Sequence, residues 1–309
     1  MSLRFATALG EQPPPLPSGP PYKCEDLNEW AGFPFWLTPH DPRLLSIHHG
    51  GKAPTAPLEN LEGMVRYWSD HPEWMDQQNP DSPVYKDKML ERELYLHFWD
   101  QHIPKNARVL DMGGGVGRMT SLLLQNLCSV EIVDPDLRSL WRTLSYAAGG
   151  PGWLDLHWST GEHMPDLGTF DAAIACEVLN YVEDPVCIVD KIFHSLKNNG
   201  VLLLSVEARW GWAMSSDVAE GSIDALFNTG IIHIPHDRWI RTYTKADLEQ
   251  LLQQFSHIEI QPSHYAFSGP FEQATGLLPV EEAIQLEERF RNHPITAPLN
   301  RAWMVIAQK

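Results

Sequence analysis

A glycine-rich turn is the part of this sequence whose residue types and spacing are best suited to bind a ligand. Residues 109–118 read VLDMGGGVGR, so an apolar strand pattern ends at Asp111 and leads into a helical pattern. Glycine has no Cβ, so a ligand can approach the backbone closely. The first turn of a helix also offers N–H groups without intrahelical partners. The glycines of the turn are Gly113, Gly114, Gly115 and Gly117.

The spacing of the turn disfavours two common ligands. A dinucleotide turn requires Gly or Ala for close packing at its last position. That position is Arg118 when the count begins at Gly113, and Thr120 when it begins at Gly115. A phosphate-binding loop is excluded because no Gly-Lys-Ser/Thr follows. Asp111 would repel a pyrophosphate and attract a cationic amino-acid group. An NAD-dependent oxidoreductase is therefore a weaker alternative.

The pattern Asp-x-Gly-x-Gly-x-Gly after a strand resembles the first motif of the class I methyltransferases that use S-adenosylmethionine (SAM). Four further segments follow in the order of that family, and the resemblance extends over about residues 83–309. It implies an α/β, Rossmann-like fold with a seven-stranded, mostly parallel sheet. The implied strand order is 3-2-1-4-5-7-6, with the last strand antiparallel and helices on both faces. The four segments are 130–134, 161–165, 170–182 and 196–204.

The resemblance also implies a set of residues that bind SAM and its product, S-adenosylhomocysteine (SAH). Asp134 ends the second strand and is expected to accept hydrogen bonds from the ribose hydroxyls. Thr160 stands where many relatives have Asp. The expected cofactor-binding residues are Asp111, Gly113, Gly114, Gly115, Gly117, Asp134, Pro135, Thr160, Gly161, Glu162, Cys176 and Glu177.

The methyl acceptor is expected to bind at the carboxyl ends of the fourth and fifth strands, beneath an aromatic-rich insertion at 208–243. A hydroxyl or ammonium acceptor needs a base, and His233, His236 and Tyr243 are the candidates in this insertion. Pro235 disfavours a helical metal site formed by the two histidines, so no metal is expected. The expected acceptor-binding residues are Asn180, Tyr181, Arg209, Trp210 and Trp239.

The chain is expected to have two parts. Residues 1–82 are rich in Pro and Trp, and we expect this extension to pack on the core as a lid over the site. Residues 83–309 form the methyltransferase domain, with insertions at 208–243 and 267–300.

Composition narrows the classes of partner. The 309 residues include 40 Asp and Glu against 23 Lys and Arg, a net charge of −17, which disfavours binding to nucleic acid or to an anionic membrane. No apolar run reaches the roughly 20 residues of a membrane span. The four cysteines show no paired spacing, which is typical of a reduced, cytoplasmic protein.

The sequence thus predicts transfer of a methyl group from SAM to an O, N or C atom of a small molecule, which is aromatic or cationic. A SAM-binding regulatory or scaffolding protein without catalysis is the alternative. The intact glycine turn and Asp134 favour the enzyme. The oligomeric state is left open.

Overall fold

The computed structural model describes residues 44–49, 73–74, 77–136, 139–140, 142–143, 152–212, 222–233, 239–266 and 278–309. Within these ranges most of the strands form one mixed sheet of eight strands, and most of the helices pack on it. The strand order is β1-β4-β3-β2-β5-β6-β10-β9. The strands are β1 (Leu44–His49), β2 (Arg108–Met112), β3 (Ser129–Asp134), β4 (Trp153–Trp158), β5 (Phe170–Cys176), β6 (Leu196–Glu207), β9 (His257–Ser263) and β10 (Ala302–Gln308).

The seven predicted strands, β2–β6 with β9 and β10, have the predicted order 3-2-1-4-5-7-6. Strands β2 to β6 pair in parallel, whereas β10 lies antiparallel between β6 and β9. The Rossmann-like class inferred from the sequence is therefore confirmed. Because the carboxyl ends of the parallel strands meet at one edge, the residues that follow them come together there.

The eighth strand, β1, was not predicted. It pairs in parallel with β4, and His48 lies opposite His157. This strand is part of the extension at 1–82, most of which lies outside the described residues. The role of that extension as a lid, and the division into two parts, stay proposals.

Helices cover both faces of the sheet. They are α1 (Tyr85–Trp99), α2 (Arg118–Gln125), α3 (Pro185–Ser195), α4 (Arg209–Trp212), α5 (Ser222–Phe227), α6 (Lys245–Leu251) and α7 (Val280–Asn292). The predicted helix at 137–148 falls largely on residues that are not described. Alternate residues of a strand face opposite sides, so Val109 packs with Tyr95 and Trp99 of α1, while Leu110 packs in the core with Ile188 of α3 and Leu248 of α6. None of the described helices has the length and apolar composition that a membrane crossing requires.

The insertion at 208–243 folds partly on itself. Strands β7 (Ile231–His233) and β8 (Trp239–Arg241) form an antiparallel pair outside the main sheet. Trp212 and Leu226 are buried against this pair and form a small separate core. The insertion therefore uses aromatic and aliphatic side chains for its own packing.

Helix α7 belongs to the second insertion, at 267–300, and packs on α1. Leu90 and Leu94 of α1 are buried with Ala283 of α7. The insertion is thereby fixed against the helix that precedes the first predicted strand.

Candidate functional site

A cavity of about 370 Å³ opens at the carboxyl ends of the central strands. Its wall includes residues from the ends of β2, β3, β5 and β6, from α1 and from the start of β10. All of the expected cofactor-binding residues except Gly117 line this cavity. The structure therefore brings together segments that are distant in sequence.

The glycines of the turn serve different purposes. Gly113, Gly115 and Gly117 all have positive φ, at 63°, 55° and 76°, a region that costs glycine little. A Cβ on Gly115 would meet no other atom closer than 4.0 Å, so it would occupy open space in the cavity that Gly115 lines. A Cβ on Gly117 would instead lie 2.5 Å from Cγ2 of Thr143. Gly117 is thus a packing residue at the start of α2 that does not line the cavity, and its expected ligand contact stays a prediction.

Asp134 connects the end of β3 to the glycine turn. Its Oδ2 accepts a hydrogen bond from the Gly115 amide at 2.9 Å, and its Oδ1 accepts one from the Asp136 amide at 2.8 Å. Burial, together with the charge of Asp136, raises the pKa of Asp134 to about 7. The carboxylate is held in place by the backbone and can accept further hydrogen bonds from a ligand.

Asp111 is 2% exposed at the end of β2. Thr120 of α2 donates a hydrogen bond to its Oδ2 at 2.5 Å. Burial raises the pKa of Asp111 to about 6, although the Thr120 hydroxyl opposes this shift. Asp111 is therefore a buried carboxyl that a cationic ligand group would convert to its charged form.

The loop after β4 forms another part of the wall. Oε1 of Glu162 accepts hydrogen bonds from the amides of Glu183 and Asp184, at 3.2 and 3.3 Å. Glu162 thus connects the loop that is expected to border the adenine with the loop after β5. A Cβ on Gly161 would lie 2.6 Å from Cδ1 of Ile188, so this glycine allows the loop to approach α3 closely.

Two cations in the wall were missed by sequence reasoning. Lys88 of α1 and Arg118 of α2 both pair with Glu91, and the Nζ–Oε2 distance for Lys88 is 3.0 Å. Burial lowers the pKa of Lys88 to about 7 and that of Arg118 to about 10. The sequence signal was the polar face of the amphipathic helix before the first predicted strand, which includes Lys88 and Glu91.

Of the expected acceptor-binding residues, Tyr181 lines the cavity. Asn180 is fully buried behind the wall: its Nδ2 donates to Oε2 of Glu177 at 2.7 Å, and its Oδ1 accepts from the Glu207 amide at 3.1 Å. Asn180 therefore positions Glu177 and does not itself face the cavity.

The two candidate bases that the structure describes, His233 and Tyr243, do not line the cavity. Tyr243 is 5% exposed in the core, and its hydroxyl donates to the Leu179 carbonyl at 2.7 Å. Burial raises the pKa of Tyr243 further, so it is not a suitable base. His233 is exposed on β7, and His236 lies outside the described residues.

Three more residues of the insertion are used for packing or for ion pairs, and none of them lines the cavity. Arg209 pairs with Asp247 at 2.7 Å. Trp210 is 44% exposed and packs edge-on against Phe227. Trp239 lies half-buried beside the guanidinium of Arg241. The expected roles of Arg209, Trp210 and Trp239 in acceptor binding therefore stay predictions.

The structure instead places Glu207, His264 and Arg301 in the wall of the cavity. Arg301 Nη1 lies 2.8 Å from Oε2 of Glu207. His264 follows β9 and has a φ of 62°, and Glu177 has a φ of 58°. No short motif marks these residues, because they meet only when β10 inserts between β6 and β9.

The chain is similar to known methyltransferases in sequence and in fold. Residues 86–256, more than half of the chain, match the family described as "Methyltransferase domain". A ubiquinone biosynthesis O-methyltransferase of Xylella fastidiosa is 29% identical over 137 residues, which is 43% of this chain and 53% of that protein. The chain thus spans about half the length of this relative. The corresponding protein of Rhodopseudomonas palustris is 20% identical over 233 residues, covering 72% of this chain and 90% of that protein.

Among solved structures, a SAM-dependent methyltransferase from Thermotoga maritima, described as a possible histamine N-methyltransferase, superposes with a TM-score of 0.51. It is 16% identical and covers 81% of this chain and 99% of its own, so it supports the fold alone. The family match covers the glycine turn, Asp134 and the loop after β5. The chain belongs to the methyltransferase-domain family, and its predicted relationship to the class I SAM-dependent methyltransferases is confirmed.

Proposed function

We propose that this protein binds SAM in the cavity and transfers its methyl group to an oxygen or nitrogen atom of a small molecule. The single observation that carries the proposal is the joint position of Gly115 and Asp134. The backbone of Gly115 faces open space that a side chain would fill, and its amide is hydrogen-bonded to the carboxylate of Asp134. SAM is a nucleoside that carries an amino acid. It therefore requires close approach to the backbone and a buried group that accepts hydrogen bonds from its hydroxyls.

The residues of the wall fit the parts of this ligand. Asp134 would accept hydrogen bonds from the ribose hydroxyls, and the loop at 160–162 would border the adenine. Asp111 would face the ammonium group, while Lys88 and Arg118 are placed for the carboxylate. When bound, SAM supplies a methyl group activated by a positively charged sulfur. The protein's own contribution is to hold the acceptor atom in line with that methyl group and to exclude water.

A binding measurement tests this function. Gly115→Val should abolish SAH binding in isothermal titration calorimetry, because the side chain would fill the open space at the turn. Gly168→Val is the matched control. Gly168 also has a positive φ, at 82°, but a Cβ there would meet only the end of the Arg108 side chain, at 3.1 Å, outside the cavity.

Two results would contradict the proposal. If folded Gly115→Val binds SAH as tightly as the wild type, the turn is not the site. If the wild type binds SAH but transfers no labelled methyl group to any small molecule, the protein is a SAM-binding regulator. The relatives named as O-methyltransferases support hydroxyl compounds as the first acceptors to test.

We also propose that the protein acts in the cytoplasm and does not bind nucleic acid. The net charge of −17 supports the second statement, since nucleic-acid binding depends on neutralising phosphates. The unpaired spacing of the cysteines supports the first.

A further inference from the structure

We propose that His264 accepts the proton of the methyl acceptor, and that the acceptor is therefore a small molecule with a hydroxyl or amine at the reacting atom. This inference rests on the proposed methyl transfer. It replaces the base predicted within the insertion at 208–243 with a residue at the end of β9.

The first argument is position. Of the histidines in the described part of the chain, only His264 lines the cavity. It stands beside the start of β10, on the side of the cavity away from β3 and β4 in the strand order. Asp134 ends β3 and the loop at 160–162 follows β4, so the residues expected at the ribose and the adenine belong to one half of the sheet and His264 belongs to the other. His264 is therefore placed for the acceptor.

The second argument is the set of groups around the imidazole. His264 is 3% exposed. Its Nδ1 lies 3.0 Å from Oγ of Ser263, its Nε2 lies 3.8 Å from Oε1 of Glu91, and its ring packs at a tilt on Tyr95. Four further charged groups act on it, namely Glu177, Glu287, Lys88 and Arg301. Glu287 and Glu177 favour the imidazolium that forms when the ring takes a proton, whereas Lys88 and Arg301 oppose it.

The third argument is backbone strain. His264 and Glu177 both have positive φ, at 62° and 58°, although neither is glycine, and both line the same cavity. Such conformations persist where the surroundings enforce them, and they cluster at functional sites. Here the amides of Tyr265 and Ala266 both donate to Oε1 of Glu287 at 2.7 Å, and the Arg301 amide donates to the His264 carbonyl at 3.1 Å. The loop is held in place on both sides of the strained residue.

The protonation state agrees with this role. Burial lowers the pKa of His264 to about 4, although Glu287 and Glu177 oppose the shift. The imidazole is therefore neutral at pH 7, which is the form that can take a proton. A weak base suffices for this step, because the proton on the acceptor atom becomes much more acidic as that atom bonds to the methyl carbon and becomes positively charged.

The step balances as follows. A lone pair of the acceptor's oxygen or nitrogen forms the new bond to the methyl carbon. The bond between that carbon and the sulfur breaks, and its electron pair remains on the sulfur. The proton of the acceptor passes to a ring nitrogen of His264 and then to solvent. No oxidant, reductant or metal is required.

The test compares His264→Asn with the wild type. Asn tolerates positive φ better than most residues, so this change preserves the backbone while removing the base. His97→Asn is the matched control, because His97 is an exposed histidine that pairs with Glu288 on the surface. The probes are phenol, catechol, benzyl alcohol and benzylamine, each supplied with methyl-labelled SAM. The probe with the highest turnover is then used for all variants.

We expect His264→Asn to lower the rate of transfer at least 100-fold, within the range for loss of a general base. SAH affinity should change less than twofold, and His97→Asn should match the wild type in both measurements. A second readout does not depend on turnover. In protein labelled with ¹⁵N-histidine and saturated with SAH, the His264 ring signals should shift when the probe is added, and the His97 signals should not.

Two outcomes would overturn the inference, namely wild-type turnover by His264→Asn and an unchanged His264 ring signal with the probe bound. Failure of the wild type to bind SAH, or SAH binding without methylation of any probe, is a different result, because it contradicts the proposed function itself.

Discussion

Asp134 is a buried carboxyl group whose ionisation coincides with neutral pH. Burial raises its pKa to about 7, so between pH 6 and 8 the group changes from mostly neutral to mostly charged. Ribose hydroxyls donate more strongly to a carboxylate than to a neutral acid. We expect the ionisation of Asp134 to raise SAH affinity about five- to tenfold between pH 6 and 8, since one pKa unit corresponds to a factor of ten. Lys88, whose pKa is about 7, loses its charge over the same range and opposes this rise.

Calorimetry of SAH binding at several pH values checks this prediction. Asp134→Asn should weaken binding by about 1.5–3 kcal/mol, the contribution of hydrogen bonds to a charged group, and should remove the rising contribution. Asp190→Asn changes an exposed carboxylate on α3 and should leave both properties unchanged. A rise of affinity with pH that persists in Asp134→Asn would assign the titration to another group, such as Asp111.

At the scale of residues, the sequence was informative where one short segment determines its own geometry. Gly115 and Asp134 could be recognised because a turn that needs positive φ and a carboxylate at the end of a strand are local patterns. His233 and Tyr243 were misplaced because their distance from the cavity depends on how the insertion packs on itself. His264 was missed because its neighbours come from α1, α7 and β10, which no local pattern brings together.

Helix α6 begins with a capping box that was visible in the sequence. Thr244 accepts a hydrogen bond from the Asp247 amide at 3.2 Å, and Asp247 accepts one from the Thr244 amide at 2.8 Å. Thr244→Ala should lower the free energy of unfolding by about 1 kcal/mol, the usual cost of losing such a cap. Urea denaturation measures this change, with the exposed Thr169→Ala as a control near zero. Equal stability of the two variants would show that the cap contributes nothing measurable.

Helix α7 holds the loop after β9 through one buried side chain. Oε1 of Glu287 accepts hydrogen bonds from two amides, those of Tyr265 and Ala266. Glu287→Ala leaves both donors buried without this acceptor and should lower the free energy of unfolding by about 2–4 kcal/mol. Glu287→Gln keeps an acceptor oxygen and should be much less destabilised. Hydrogen exchange at the two amides should accelerate in the Ala variant, and unchanged exchange would contradict the role of Glu287.

At the scale of elements, the sequence predicted the strands from β2 to β10 that form the main sheet, because buried parallel strands are short apolar runs separated by helical patterns. Strand β1 was missed because residues 44–49 have no apolar–polar alternation and lie in a Pro-rich region. The β7–β8 pair was missed because its three-residue strands are too short to show a period.

The whole molecule should be stabilised by the ligand that its cavity fits. A ligand at 100 times its dissociation constant adds about 2.7 kcal/mol to the free energy of unfolding. For a chain of 309 residues, that corresponds to a rise in melting temperature of roughly 4 °C. Differential scanning fluorimetry should show such a rise with SAH and no rise with NAD. A rise with NAD alone would restore the oxidoreductase alternative.

The position of β10 between β6 and β9 has a consequence for the order of folding. Strands β2 to β6 pair in parallel with one another, so this part of the sheet can assemble within the stretch 108–207. The antiparallel pairs of β10 must wait for residues 302–308, about one hundred residues after the start of β6, and pairing over such a separation is slow. Until then β6 presents an unpaired apolar edge, which makes the incomplete chain prone to aggregate. The half of the cavity that contains Asp134 is therefore formed first, and the half that contains His264 and Arg301 is completed last.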